Sequence, residues 1–157
     1  MNLREFTAHL EKQSEAVTSV VTSIQKRVIL GIHDRLISRP GDGGTPIDHG
    51  TARGSWGINE GSAGSYVLQQ PGANAEGVVY GEDAAKKQQG KVNNIKPFGI
   101  WWIFNNLPYI VNLNNGSSDQ APALFVEDAV ELENEEMIQA LENNNQTVDS
   151  LEVLVKK

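Results

Sequence analysis

The chain contains no cysteine. Disulfides, thiolate zinc sites and thiol nucleophiles are therefore excluded before any pattern is read. Positive charge is also short: 13 Lys and Arg stand against 20 Asp and Glu, a formal net charge of -7, with a pI near 4.9. A non-specific nucleic-acid surface needs clustered cations to meet phosphates. The one short basic patch, Lys86 and Lys87 with Lys91 and Lys96 beyond it, reads as solvated surface. No apolar run approaches the roughly 20 residues of a membrane span. Met1 to Leu10 is interrupted by Arg4 and Glu5, with Glu11 and Lys12 following, where a signal peptide needs a continuous apolar stretch. The expectation is a soluble protein made in the cytoplasm, with no membrane partner.

At 157 residues the chain is long enough to bury a core as one domain. Residues 3 to 38 carry Leu3, Phe6, Leu10, Val17, Val20, Val21, Ile24, Val28, Ile32 and Leu36 mostly three, four or seven apart, with polar residues between. This spacing predicts a long amphipathic helix. Ser14 and Gly31 leave its continuity open, and Ser38-Arg39-Pro40-Gly41 ends it. The five glycines and two prolines of residues 40 to 54 predict a structured loop without a regular element. Trp56 and Ile58 followed by Asn59, Glu60 and Gly61 predict a strand entering a hairpin turn. Tyr66-Val67-Leu68 and Gly77-Val78-Val79-Tyr80-Gly81 read as two short strands around a turn, the second alternatively a loop. Glu82 to Gln89 reads as two polar helical turns on the surface, stopped by Gly90.

Ile100-Trp101-Trp102-Ile103-Phe104 is the best strand candidate, its bulky residues implying burial on both faces. For Trp101 and Trp102 the core is the favoured place, with an interface as the alternative. The chain then turns at Pro108, and a short apolar segment and a Gly/Ser loop lead to Pro122. A second amphipathic helix is expected from about Ala123 to Asn143, its acidic residues on a solvated face. Ser150 to Val155 reads as a terminal strand or a tail used by a neighbouring subunit. The expected division is one domain over residues 1 to 143 and a C-terminal tail over 144 to 157.

Signs of covalent chemistry are thin. His9 and His33 lie 24 positions apart (33 minus 9), about 36 Å along one straight helix, too far to share a metal. His49 adjoins Asp48, which reads as a locally hydrogen-bonded loop histidine. The glycines of residues 41 to 44 lead to Thr45-Pro46 and lack the Lys-Ser or Lys-Thr of a phosphate-binding loop. Arg53, placed just before Trp56, reads as an ion-pair partner for an acidic helix of its own or a neighbouring subunit.

Two stretches carry a family resemblance. Thr45-Pro46-Ile47-Asp48-His49-Gly50-Thr51-Ala52-Arg53-Gly54-Ser55-Trp56 resembles the Thr-Pro-Val-Asp-Thr-Gly…Leu-Arg…Ser-Trp signature of the bacteriophage HK97 gp10-like neck and tail-completion (tail terminator) proteins. Asn105-Asn106-Leu107-Pro108-Tyr109, followed by Leu113, Gly116, Ser118 and Gln120-Ala121-Pro122, is similar to a second segment of that superfamily. His49, Ala52, Ile110 and Asn114 depart from the usual Thr, Leu, Ala and Glu.

The resemblance implies an α+β fold in which a twisted antiparallel sheet packs against a long N-terminal helix and a C-terminal helix. It implies a structural virion protein at the viral neck, the head-tail interface, assembled in the host cytoplasm as a homo-oligomeric ring. Six copies are expected and twelve are the alternative. The implied partners are neck or connector proteins, the tail tube protein and genomic DNA, which passes through the lumen without sequence-specific binding. No enzyme activity, metal or cofactor is implied. Pro46, Asp48, Gly50, Arg53 and Trp56 would shape and anchor the first loop, with Trp101 and Trp102 as structural or interface residues. Pro108, Tyr109 and Gly116 would set the corner after the central strand, and Gln120 and Pro122 the approach to the last helix. The competing expectations are a head-tail adaptor or transient tail-assembly chaperone, whose N-terminal helix would bind a partner, and a small metal-dependent hydrolase.

Overall fold

The computed structural model of the chain describes residues 2–69 and 75–143. Helix α1 runs unbroken from Leu3 to Ile37. Its start is a capping box: the Asn2 side chain accepts from the Glu5 N–H at 2.9 Å, and the Glu5 carboxylate accepts from the Asn2 N–H at 2.8 Å. Ser14 is absorbed without a break. Gly31 is a contact rather than a hinge, because a Cβ there would lie 2.2 Å from the Glu133 carboxylate of the C-terminal helix. The helix ends where Ser38 turns extended before Pro40.

Residues 40 to 54 contain more regular structure than their composition suggests. A 3-10 turn spans Pro40–Asp42, and a one-turn helix, α2, spans Thr51–Gly54. The glycines are what allow it. Gly50 starts α2 at φ 78°, and a Cβ on Gly54 would fall 2.8 Å from the Gly81 Cα. Strand β1, Gly57–Glu60, follows. Its partner is not the next segment but strand β2, Trp101–Phe104, antiparallel with Gly57 opposite Phe104 and Glu60 opposite Trp101. The expected local hairpin is therefore a long-range pairing.

The expected strand at Gly77–Gly81 is replaced by helix α3, Ala75–Gln89. The helix-forming Glu82–Gln89 run extends back through the valines, and Gly81 is tolerated there because a Cβ would strike the Gly50 carbonyl at 2.3 Å. Nor is its polar part wholly on the surface, since Ala84 and Ala85 are buried. After β2 come the one-turn helix α4, Ile110–Asn114, and helix α5, Phe125–Asn143. The expected tail at 144 to 157 lies outside the described residues.

The fold is thus α+β: a two-stranded antiparallel sheet with a long N-terminal and a C-terminal helix. Leu36, Ile37, Trp56, Ala85, Ile110, Phe125 and Ala129 form the main core, so α1, α2, α3, α4 and α5 meet around it. Ile29, Ile58 and Val92 form a second cluster under the sheet. Helices α1 and α5 are locked where the buried Glu133 carboxylate meets Arg35 at 3.2 Å, with Glu136 2.6 Å from the same guanidinium. The Glu136 hydrogen bond first, with Glu133 adding to it and burial opposing both, holds the Arg35 pKa above its ordinary value.

Candidate functional site

The first resembling stretch is built outward from the end of α1. Thr45 is fully buried, and its hydroxyl donates to the Leu36 carbonyl at 2.7 Å and accepts from the Trp56 indole at 2.7 Å. That pair fixes both ends of the loop. Below it, the His33 Nε2 faces the Trp56 carbonyl at 3.3 Å and its Nδ1 faces the Gln89 amide at 3.3 Å. The neutral tautomer protonated on Nε2 satisfies both contacts. Burial pushes the His33 pKa below its ordinary value, against a smaller opposing effect of the Trp56 carbonyl and Asp34.

Arg53 is only 7% exposed, and its guanidinium donates to the Ile37 carbonyl and meets Glu82 of α3 at 3.1 Å. Its charge is matched within its own subunit, and it closes the C-terminal end of α1, where cations and donors are favoured. Of the two expected partners, a helix of its own chain is the one it meets. The Glu82 pKa is lowered by its Lys86 hydrogen bond first, with the Arg53 charge adding to it.

The second resembling stretch meets the first. The Asn105 side chain donates to the Ala52 carbonyl at 2.9 Å, and the Gln120 carboxamide oxygen accepts from the Ile47 N–H at 2.9 Å across 73 positions of sequence. Gly116, at φ 85°, makes the corner after α4. Asn114 then ties that corner to α5: its side chain accepts from the Val126 N–H at 2.9 Å and donates to Glu127 at 2.7 Å. Pro108 precedes α4 and Pro122 precedes α5, positions where the missing N–H costs nothing.

Between the two stretches lies an open cleft of about 600 Å³. Pro46, Asp48 and His49 of the first stretch and Tyr109, Ser118 and Gln120 of the second line it, with Ala52, Leu68, Leu107 and Leu113 as its apolar part. The His49 Nδ1 lies 2.9 Å from the Asp48 carboxylate, the local pairing that the sequence suggests. Burial first, and the Asp48 charge second, raise the Tyr109 pKa, so its hydroxyl stays protonated at neutral pH. Such a cleft can seat an apolar side chain or a loop of another protein between polar rims.

Pro46, Asp48, Tyr109 and Gln120 are thus brought together in the cleft, while Gly50, Arg53 and Trp56 form the buried seam beneath it. Trp101 and Trp102 belong to neither. Core burial fails for Trp102, which is 46% exposed on the outer face of β2, while Trp101 is partly buried against the second cluster. Thr45, Asn105 and Asn114 carry the resemblance or depart from it without a role that the sequence assigns, and Glu82 stands out only as the start of a polar helical run. His33 could have been, since it sits four after Ile29 and three before Leu36 on the inner face of α1.

Among the described residues no three His, Asp or Glu side chains gather as a metal ligand set would require, and no helix is long and apolar enough to cross a membrane. The chain matches no protein-family model, no curated protein and no solved structure.

Proposed function

We propose that this chain is a structural subunit of the phage neck, a member of the HK97 gp10-like tail-completion proteins that forms a ring at the head-tail junction and leaves a channel for DNA. The observation that carries the reading is the convergence of the two resembling stretches. Segments that resemble one family's signature also share one cleft, through the Ile47–Gln120 and Ala52–Asn105 hydrogen bonds. That joint placement is what a signature maintained by a common fold would require. A ring of about six copies matches closed cyclic assembly. The net charge of -7 suits a lumen through which DNA slides without being held.

Cryo-electron microscopy of phage particles, with the purified protein sized by light scattering, tests this. The expected result is a closed ring on the tail axis at the neck. A protein that is monomeric at every concentration and absent from particles would overturn it.

One feature favours a second reading, the transient assembly adaptor. Every residue from Asn2 to Glu15 of the N-terminal region is exposed, which leaves the apolar side of this part of α1 open to a partner. Mass spectrometry of finished virions separates the two, since an adaptor leaves and a neck subunit stays.

A further inference from the structure

We infer that in the assembled protein the N-terminal half of α1 from one copy lies on the outer face of α5 of the next, a head-to-tail contact that repeats around the ring. The inference rests on the ring reading above and names the surfaces that would close it. Leu3, Phe6, Leu10 and Val17 recur three, four and seven apart along one side of α1, and all four are exposed, Leu3 at 80%. A helix this short of tertiary support draws little stability from propensity alone, so an apolar stripe along it calls for a partner.

Helix α5 carries the matching face. Phe125, Ala129, Glu133 and Met137 repeat every four residues and are buried against the body of the subunit. Val126, Val130, Asn134 and Ile138 form the next stripe, about 100° further round the helix. They line an open groove of about 540 Å³. The lengths agree: Leu3 to Val17 spans about 21 Å and Val126 to Ile138 about 18 Å at 1.5 Å per residue.

Charge disfavours one alternative, and the uncovered groove a second. Glu127 and Glu131 border the groove with Glu135, so a second α5 laid against it would oppose carboxylate to carboxylate. The stripe of α1 is bordered instead by the uncharged Thr7, Gln13 and Ser14 and by His9; Glu11 sits about 110° round the helix from it and Glu15 on the far side. Pairing of α1 with α1 would bury one stripe but leave the α5 groove bare. A contact between two different surfaces satisfies both and propagates, and it closes into a ring when the rotation allows.

The absence of cysteine makes a direct test possible. Full-length Leu10→Cys and Val130→Cys proteins are prepared separately, both at exposed positions, and mixed under mild oxidation. Cross-linked dimers containing one of each are expected, with neither variant linking to itself. Phe6→Cys or Val17→Cys against Val126→Cys or Ile138→Cys then sets the register. A chain carrying both Leu10→Cys and Val130→Cys should give a ladder ending at the ring number.

Self-linking of Leu10→Cys would overturn the inference in favour of paired α1 helices. Linking of Val130→Cys to Leu151→Cys within one chain would overturn it by placing the chain's own C-terminal residues in the groove. Rings seen by light scattering with no α1–α5 link at any register would sink this interface and leave the ring reading standing. A protein that is monomeric throughout would sink both.

Discussion

From Leu3 to Ser19, α1 carries Leu3, Phe6, Leu10 and Val17 on one side and exposes them all; from Val20 to Ile37 it buries Val20, Ile29, Leu36 and Ile37. The spacing is of the same helical kind in both halves. What separates them is the company they keep. The second half meets α2, α3, α5 and the sheet, and is fastened by Thr45 and Arg53 on its last carbonyls and by Arg35 on Glu133. The first half has its capping box and little else. An amphipathic pattern therefore states that a face will be covered, without stating whether the cover comes from the same chain.

Three measurements would break or sharpen that contrast. The largest effect is expected at Gly31. By helix propensity alone Gly31→Ala should stabilise α1 by about 1 kcal/mol. Its methyl group would instead meet the Glu133 carboxylate at 2.2 Å and displace it from Arg35. A buried acceptor that loses its partner costs about 1–3 kcal/mol, so against that gain a net loss of about 1 kcal/mol is expected in urea unfolding. A gain would mean that the Glu133 carboxylate moves aside without losing a partner it needs.

The next effect is one of pH. The folded His33 pKa lies below its unfolded value of about 6.5. Between those two values the unfolded chain binds more protons than the folded one. The stability that His33 contributes is thus complete above about pH 6.5 and is lost as pH falls through the folded pKa. Urea midpoints should fall from pH 7.5 to pH 5.5, and His33→Gln should reduce that fall. An unchanged slope in the variant would show that His33 is not held neutral.

The smallest effect belongs to the first half. Phe6→Ser with Leu10→Ser should move the unfolding free energy of the subunit by no more than about 0.5 kcal/mol per site, as exposed positions do. The same pair should abolish oligomers in light scattering. A large loss of stability in a monomeric sample would mean that this stretch packs on its own subunit.

Much of the fold was legible because it depends on local pattern. The bounds of α1, the strand at Trp101–Phe104 and the helix from Phe125 all follow apolar spacing and caps. Two of the departures share one cause. Gly77–Gly81 reads as a strand or loop, and residues 51 to 54 as loop, because glycine flanks or interrupts both stretches and suggests a break in any helix. In the folded chain Gly50, Gly54 and Gly81 are the surfaces on which α2 and α3 approach each other. Of the candidate site, the cleft residues Pro46, Asp48, Tyr109 and Gln120 were already singled out, but their meeting across 73 positions was not visible.

The sequence by itself determined what the chain excludes and which faces are apolar, since both follow from side-chain chemistry and the helical period. Tertiary structure decided which of those faces are covered. Burial depends on the distance to another element, and no local spacing encodes it: the same period is core at Leu36 and bare at Leu3.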